Sequence, residues 1–126
     1  MDLHYIIYSS TPAKAVTKSD IEQLLLTSRR NNALFGITGM LICLPELFMQ
    51  FIEGPKENIL QLFDNIEKDN RHYNVTVLKE GPLYERHFAG WSMGVDYREM
   101  PLKDFQQTFS VFCDEVFSLF NVIDIV

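Results

Sequence analysis

Four polar side chains, on three segments, stand where this sequence is otherwise apolar. In Leu47-Phe48-Met49-Gln50-Phe51-Ile52-Glu53-Gly54, the two-residue period of a strand places Phe48, Gln50 and Ile52 on one face. A buried amide without partners costs about 1–3 kcal/mol, so Gln50 must be bonded to something. Tyr8 closes the apolar run Leu3-His4-Tyr5-Ile6-Ile7-Tyr8, and Ser28 and Asn32 continue the apolar stripe of the following helix. A phenol, a hydroxyl and two amides that can each donate and accept form a polar cluster in an apolar pocket, the usual construction of a small-molecule or cofactor site.

The elements that must position these groups follow from periodicity. The first strand spans Leu3 to Tyr8 and ends in Ser9-Ser10-Thr11-Pro12. A helix starts near Thr17 or Ser19, with Ser19 and Glu22 at capping-box spacing, and Ile21, Leu24, Leu25, Ser28 and Asn32 share one of its faces. Asn31, Asn32 and Gly36 supply its stop, with Asn31 the better cap. Ile37 to Leu44 and Leu47 to Glu53 form a hairpin through Pro45-Glu46. Gly54-Pro55 opens a second helix that turns Ile59, Leu62, Phe63 and Ile66 inward and ends at Asp69-Asn70-Arg71-His72. Val75 to Leu78 and Trp91 to Val95 are the last strands, joined through Gly81-Pro82 and a charged loop.

The order β-α-β-β-α-β-β is an α+β, ferredoxin-like unit with one added strand. Both helices are expected on one sheet face, with the first and third strands as parallel central neighbours that bring Tyr8 near Gln50. From Pro101 to Phe120, Phe105, Phe109, Phe112, Val116 and Leu119 form the stripe of an amphipathic helix expected to cap the other face. Residues 1–97 are thus read as the domain and 98–126 as a helical cap.

At 126 residues and 47% apolar content the chain suits one domain with one core. Ten Phe, five Tyr and one Trp allow large buried rings or a flat ligand. A formal charge of -6 opposes a nucleic-acid partner. Cys43 and Cys113 have no CxxC or zinc-like spacing, no apolar run approaches the ~18 residues of a membrane span, and no cleavable signal is visible. The expectation is a reduced, cytoplasmic protein.

Taken singly, each candidate has a plainer reading. Tyr8 is an aromatic at a strand end, Asn32 part of a helix C-cap, Gln50 a partner of nearby backbone, Trp91 and Met93 core, and Arg71-His72 a solvated helix end. Convergence of three elements on one pocket favours a site. Other chemistries lack their anchors. His4, His72 and His87 have no metal-ligand spacing, and GxGxxG, P-loop and GxSxG motifs are missing. Glu53 reads as either a general base or a helix-start carboxylate.

Tyr8-Ser9-Ser10, Thr27-Ser28-Arg29-Arg30-Asn31-Asn32-Ala33 leading to Ile37-Thr38-Gly39, Phe48 to Gly54, Asp69-Asn70-Arg71-His72 and Trp91-Ser92-Met93 together resemble the BLUF domain, the blue-light sensor that uses FAD. The resemblance covers roughly residues 1–97, and the chain looks like the short bacterial members that signal through partner proteins. It implies a flavin between the two helices, with Asn32 on the polar ring edge and Gln50 between Tyr8 and the flavin N5/O4 edge. Ser28, Asn31, Lys68, Arg71 and His72 complete the surroundings. Light would draw an electron and a proton from Tyr8, rearrange the Gln50 amide and strengthen its bond to the flavin. Trp91 and Met93 would carry the change outward to a downstream protein or within a homo-oligomer. Turnover is not expected.

Members of the family often carry a basic residue on the second helix near the flavin phosphate, where this chain has Asn65 with Lys68 nearby. FMN or riboflavin could therefore replace FAD. The alternative reading is a cofactor-free ferredoxin-like regulatory or protein-binding module.

Overall fold

A computed structural model describes residues 2–14, 17–44, 47–90 and 92–97. Trp91, the Pro45-Glu46 turn and the helix expected over 101–120 lie outside the described residues. The elements run β1 (Leu3–Pro12), α1 (Lys18–Leu34), β2 (Thr38–Leu44), β3 (Leu47–Pro55), α2 (Lys56–Lys68), β4 (His72–Leu83) and β5 (Gly94–Tyr97). They build a five-stranded sheet of order β4-β1-β3-β2-β5.

β1 and β3 are central neighbours, as expected, but they run antiparallel. The helical crossover through α1 returns β2 in the direction of β1, and the β2–β3 hairpin then reverses β3. The register still sets Tyr8 directly opposite Gln50. The fifth strand pairs in parallel with β2, at the sheet edge opposite β4. Strand β4 is also longer than the sequence suggests: it begins at His72 and continues through Gly81-Pro82, which form strand and not a loop.

Thr17 caps α1, and its hydroxyl accepts from the Asp20 amide while the Asp20 carboxylate accepts from the Thr17 amide, both at 3.1 Å. The capping box is therefore Thr17/Asp20, two residues before the spacing of Ser19 and Glu22. At the other end Gly36 takes φ +66°, and the Ile37 amide reaches back to the Asn32 carbonyl at 2.8 Å. This is a Schellman stop at Gly36, with Phe35 as the cap, so Asn31 and Asn32 belong to the last turn.

Ile21 and Leu25 of α1 and Ile59 of α2 pack with Ile6, Tyr8, Leu41, Cys43 and Ile52 in one core, so both helices cover the same sheet face. Leu62, Phe63 and Ile66 lie against its margin. Gly39 allows the β2–β3 pairing to close, since a Cβ there would lie 2.1 Å from the Phe51 carbonyl oxygen.

The opposite face carries Tyr5, Ile7, Ile42, Met49 and Phe51, all buried. Because β4 and β5 occupy opposite edges, the chain between them must cross this face. His87 and Phe88 set their rings edge-on to Phe51, at 6.2 and 5.1 Å between centroids. Glu53, fully buried, fixes that crossing. Its carboxylate accepts from the His87 amide at 2.7 Å, the Phe88 amide at 2.9 Å and the Thr38 hydroxyl at 2.6 Å. Neither alternative read from the sequence describes Glu53, which is an internal bracket between β3 and the crossing segment.

Candidate functional site

Tyr8 and Gln50 project from the helix-covered face of β1 and β3. The Tyr8 hydroxyl donates to Gln50 Oε1, and Gln50 Nε2 donates to the Met93 sulfur at 3.3 Å. The phenol packs edge-on against Phe63, 5.5 Å between centroids. Burial, with smaller contributions from Asp69 and Cys43, holds the Tyr8 pKa above the ordinary tyrosine value. The phenol is therefore neutral and a hydrogen-bond donor at any ordinary pH.

Helix α1 supplies the second wall. Asn32 is 4% exposed, and its Nδ2 donates to the Ser92 carbonyl at 2.8 Å. One turn earlier, Arg29 Nε donates to the Met93 carbonyl at 2.9 Å. Two donors on one helix thus fasten consecutive carbonyls just before β5, while Gln50 holds the Met93 side chain. Met93 does not lie within the last strand; it immediately precedes it.

The third wall forms where α2 passes into β4. The Ile66 carbonyl can only accept, so His72 Nε2, 2.6 Å away, carries a proton. In the neutral ring Nδ1 then accepts from the buried Ser10 hydroxyl at 2.8 Å. Arg71 grips Asp69 with Nε at 3.0 Å and Nη2 at 2.5 Å, and this guanidinium holds the Asp69 carboxyl below the usual carboxylate range. Arg71 stays charged, with Asp69 as its counter-ion.

These walls line a partly open cavity of about 860 Å³ that runs along α1 from Ser19 to Asn32, with Leu62 and Ile66 of α2 also on its lining. Tyr8, Ser28, Asn31, Asn32, Gln50, Arg71, His72 and Met93 all line it. Lys68 does not. It points along α2 to Asp64, at 2.8 Å, while Asn65 takes the place on the lining.

Lining residues that sequence reasoning missed include Lys14, Asp20, Gln23 and Asp69, and Arg29 acts from just outside the lining. Asp69 lay in a stretch read as a helix end, Lys14 in a loop without periodicity, and Arg29 in a helix turn whose partner lies 64 residues away.

The cavity fits a flavin. Its volume lies in the range of cofactor sites, apolar Leu41, Phe48 and Leu62 suit a planar ring, and the Asn32 and Gln50 amides offer donors and acceptors to a polar ring edge. Gln50 Nε2 meets only a weak thioether acceptor in this arrangement, which leaves it able to take a better one.

Comparison with known proteins agrees. The family described as "Sensors of blue-light using FAD" matches residues 3–94. The photoactivated adenylate cyclase subunit beta of Euglena gracilis is 33% identical over 105 residues, covering 79% of this chain and 12% of that protein. The blue light- and temperature-regulated antirepressor BluF of Escherichia coli (strain K12) is 32% identical over 73 residues, 58% of this chain and 18% of the relative. The chain thus spans only a small part of these relatives' length. Among solved structures, the dark state of BlrB, a BLUF protein, superposes with a TM-score of 0.76 at 31% identity, covering 93% of this chain and 86% of that one. The Klebsiella pneumoniae BlrP1 structure with FMN and cyclic diGMP gives a TM-score of 0.71 at 27% identity, over 86% of this chain and 30% of that one. With the Tyr8–Gln50 pair in place between two helices over a ferredoxin-like sheet, the chain belongs to the BLUF family, the flavin-binding sensors of blue light.

Proposed function

We propose that this protein is a light-operated switch whose output is a change in how the Ser92-Met93 segment and β5 are held, read by a second protein or a second copy of the chain. Asn32, Ser28, Asn31, Arg71 and His72 hold the flavin, Gln50 contacts its polar edge, and the protein acts without substrate turnover in a cytoplasmic setting. Among the described residues, no helix is long and apolar enough to cross a membrane.

The bound flavin supplies blue-light absorption and an electron acceptor. Tyr8 is the electron and proton donor. Its raised pKa keeps the proton on oxygen until an electron would leave for the flavin, and its hydrogen bond would direct that proton to Gln50 Oε1. Electron and proton would both return to Tyr8 as the amide rearranges, leaving the flavin oxidised. Rearrangement of the amide then reverses the Gln50 donor and acceptor ends. A thioether accepts hydrogen bonds and never donates, so a Gln50 oxygen facing Met93 gains nothing there. Met93 loses its partner, while the Arg29 and Asn32 bonds to the backbone persist. Two arrangements of one amide thus correspond to two ways of holding the segment before β5. From there the change passes to Trp91 and the 101–120 segment, or to a subunit contact beside it.

The observation that carries this reading is the unbroken hydrogen-bond chain from Tyr8 through Gln50 to Met93. The test is the absorption spectrum of the purified protein before and after blue light. A yellow protein whose flavin band moves slightly to the red, with the flavin still oxidised, is the expected result. A colourless protein that takes up no added flavin overturns the reading and favours a cofactor-free module.

A further inference from the structure

We propose that Lys14, in the β1–α1 connection, is the cation that meets the phosphate of the flavin, and that it makes the cavity select phosphorylated flavins over riboflavin. The inference rests on the flavin reading above and deepens it.

The cavity has two chemically different ends. Tyr8, Asn32, Gln50 and Met93 lie at one, where a flat ring with a polar edge belongs. From Asn32 back to Ser19 the lining follows α1 for about 20 Å, at about 1.5 Å per residue, long enough for a sugar-alcohol chain and a phosphate beyond the ring. Lys14 stands at this second end. Pairing of Pro12 with His72, and the Ala13 amide on the Arg71 carbonyl at 2.8 Å, set it beside Arg71.

The other cations there are committed. Lys68 is off the lining and bonded to Asp64, and Arg71 is forked onto Asp69. Asn65 is neutral. Lys14 makes no ion pair among the described residues, and the carboxylate that feels its charge, Asp20, is engaged by the Thr17 cap. The charged lining residues, Lys14 and Arg71 against Asp20 and Asp69, balance formally. Lys14 therefore acts as a flexible ammonium able to reach a dianion at the mouth without fixing its geometry, and not through a net positive field. The position is exposed, so the contribution is modest and salt-sensitive.

The experiment titrates flavin-stripped protein with riboflavin and FMN, following flavin fluorescence at low and high salt. Wild type is expected to bind FMN roughly two- to fivefold more tightly than riboflavin at low salt, with the ratio shrinking as salt rises. Lys14→Gln should bring the ratio close to one with riboflavin affinity unchanged, and Lys68→Gln should leave it at the wild-type value. An unchanged ratio in Lys14→Gln, or a ratio that collapses only in Arg71→Gln, overturns the assignment to Lys14. Binding of neither flavin by wild type overturns the flavin reading itself, so the two failures are distinguishable.

Discussion

Tyr8 and Gln50 face each other across the central strand pair, and the phenol donates to the amide oxygen whose nitrogen is bonded to Met93. Each partner is required for a different reason. Tyr8→Phe removes the donor, and Gln50→Leu removes both amide functions at nearly constant volume. Both variants should fold and keep flavin, each losing about 1–3 kcal/mol because the remaining partner is left unbonded, and both should lose the light-induced red shift. A normal shift in either, measured by difference spectroscopy, would sink the role assigned to that residue.

Asn32→Ala should act on retention. The side chain is buried, bonds the Ser92 carbonyl and borders the ring site, so truncation leaves an unpartnered carbonyl and a small cavity, costing about 1–3 kcal/mol. Flavin-to-protein ratio after gel filtration is the readout. Unchanged stoichiometry would remove Asn32 from the binding set.

Much of this arrangement is legible in the sequence because it follows from short-range periodicity. The α1 stripe of Ile21, Leu25, Ser28 and Asn32 and the alternation around Gln50 each place a polar group against the core without knowledge of its partner. The capping residue and the β4 boundaries were missed because Thr17 and Ser19 offer competing caps and Gly81-Pro82 resembles a turn. The direction of β1 against β3 is a property of the crossover and hairpin taken together, and no single segment encodes it. Glu53 could not be read at all from its own strand, since its partners are amides 34 and 35 residues later. Met93 depended on the family resemblance for the same reason.

Glu53→Gln tests whether that carboxylate is structural. The amide nitrogen would face a backbone N–H in place of an acceptor, so a loss of about 2–3 kcal/mol in urea unfolding is expected. Glu53 lies on the sheet face away from the cavity, and the amplitude of the red shift should be unchanged in folded protein. A shift lost without loss of stability would assign it a photochemical role.

The Tyr8 phenol also sets an alkaline limit. Its pKa is raised in the folded state, chiefly by burial, so the native protein holds this proton more tightly than the unfolded chain. The resulting stability is fully present below the unfolded value of about 10 and is lost as pH rises above it. Wild type should therefore lose more stability between about pH 9 and about pH 11 than Tyr8→Phe does, as measured by urea midpoints. Tyr5, whose pKa is raised by burial and by Glu80, contributes equally to both proteins. Parallel pH profiles would show that the phenol is not held neutral by the fold.

The remaining prediction concerns the path outward. In the described arrangement three side chains hold the approach to β5: Arg29 on the Met93 carbonyl, Asn32 on the Ser92 carbonyl and Gln50 on the Met93 sulfur. Only the third involves the amide proposed above to rearrange in light. Amide exchange over residues 94–97, which pair with β2, should therefore be faster in the lit state than in the dark. Met93→Leu conserves volume but has no sulfur acceptor, so its dark state should already lack the Gln50 anchor. The variant should keep a light-induced red shift, since Tyr8 and Gln50 remain, while the difference in β5 exchange between lit and dark protein shrinks. Arg29→Ala should do something else: it loosens a bond present in both states, raising exchange in both and leaving their difference intact. Equal exchange of 94–97 in dark and lit wild-type protein would refute the route from Gln50 through Met93 to the sheet edge.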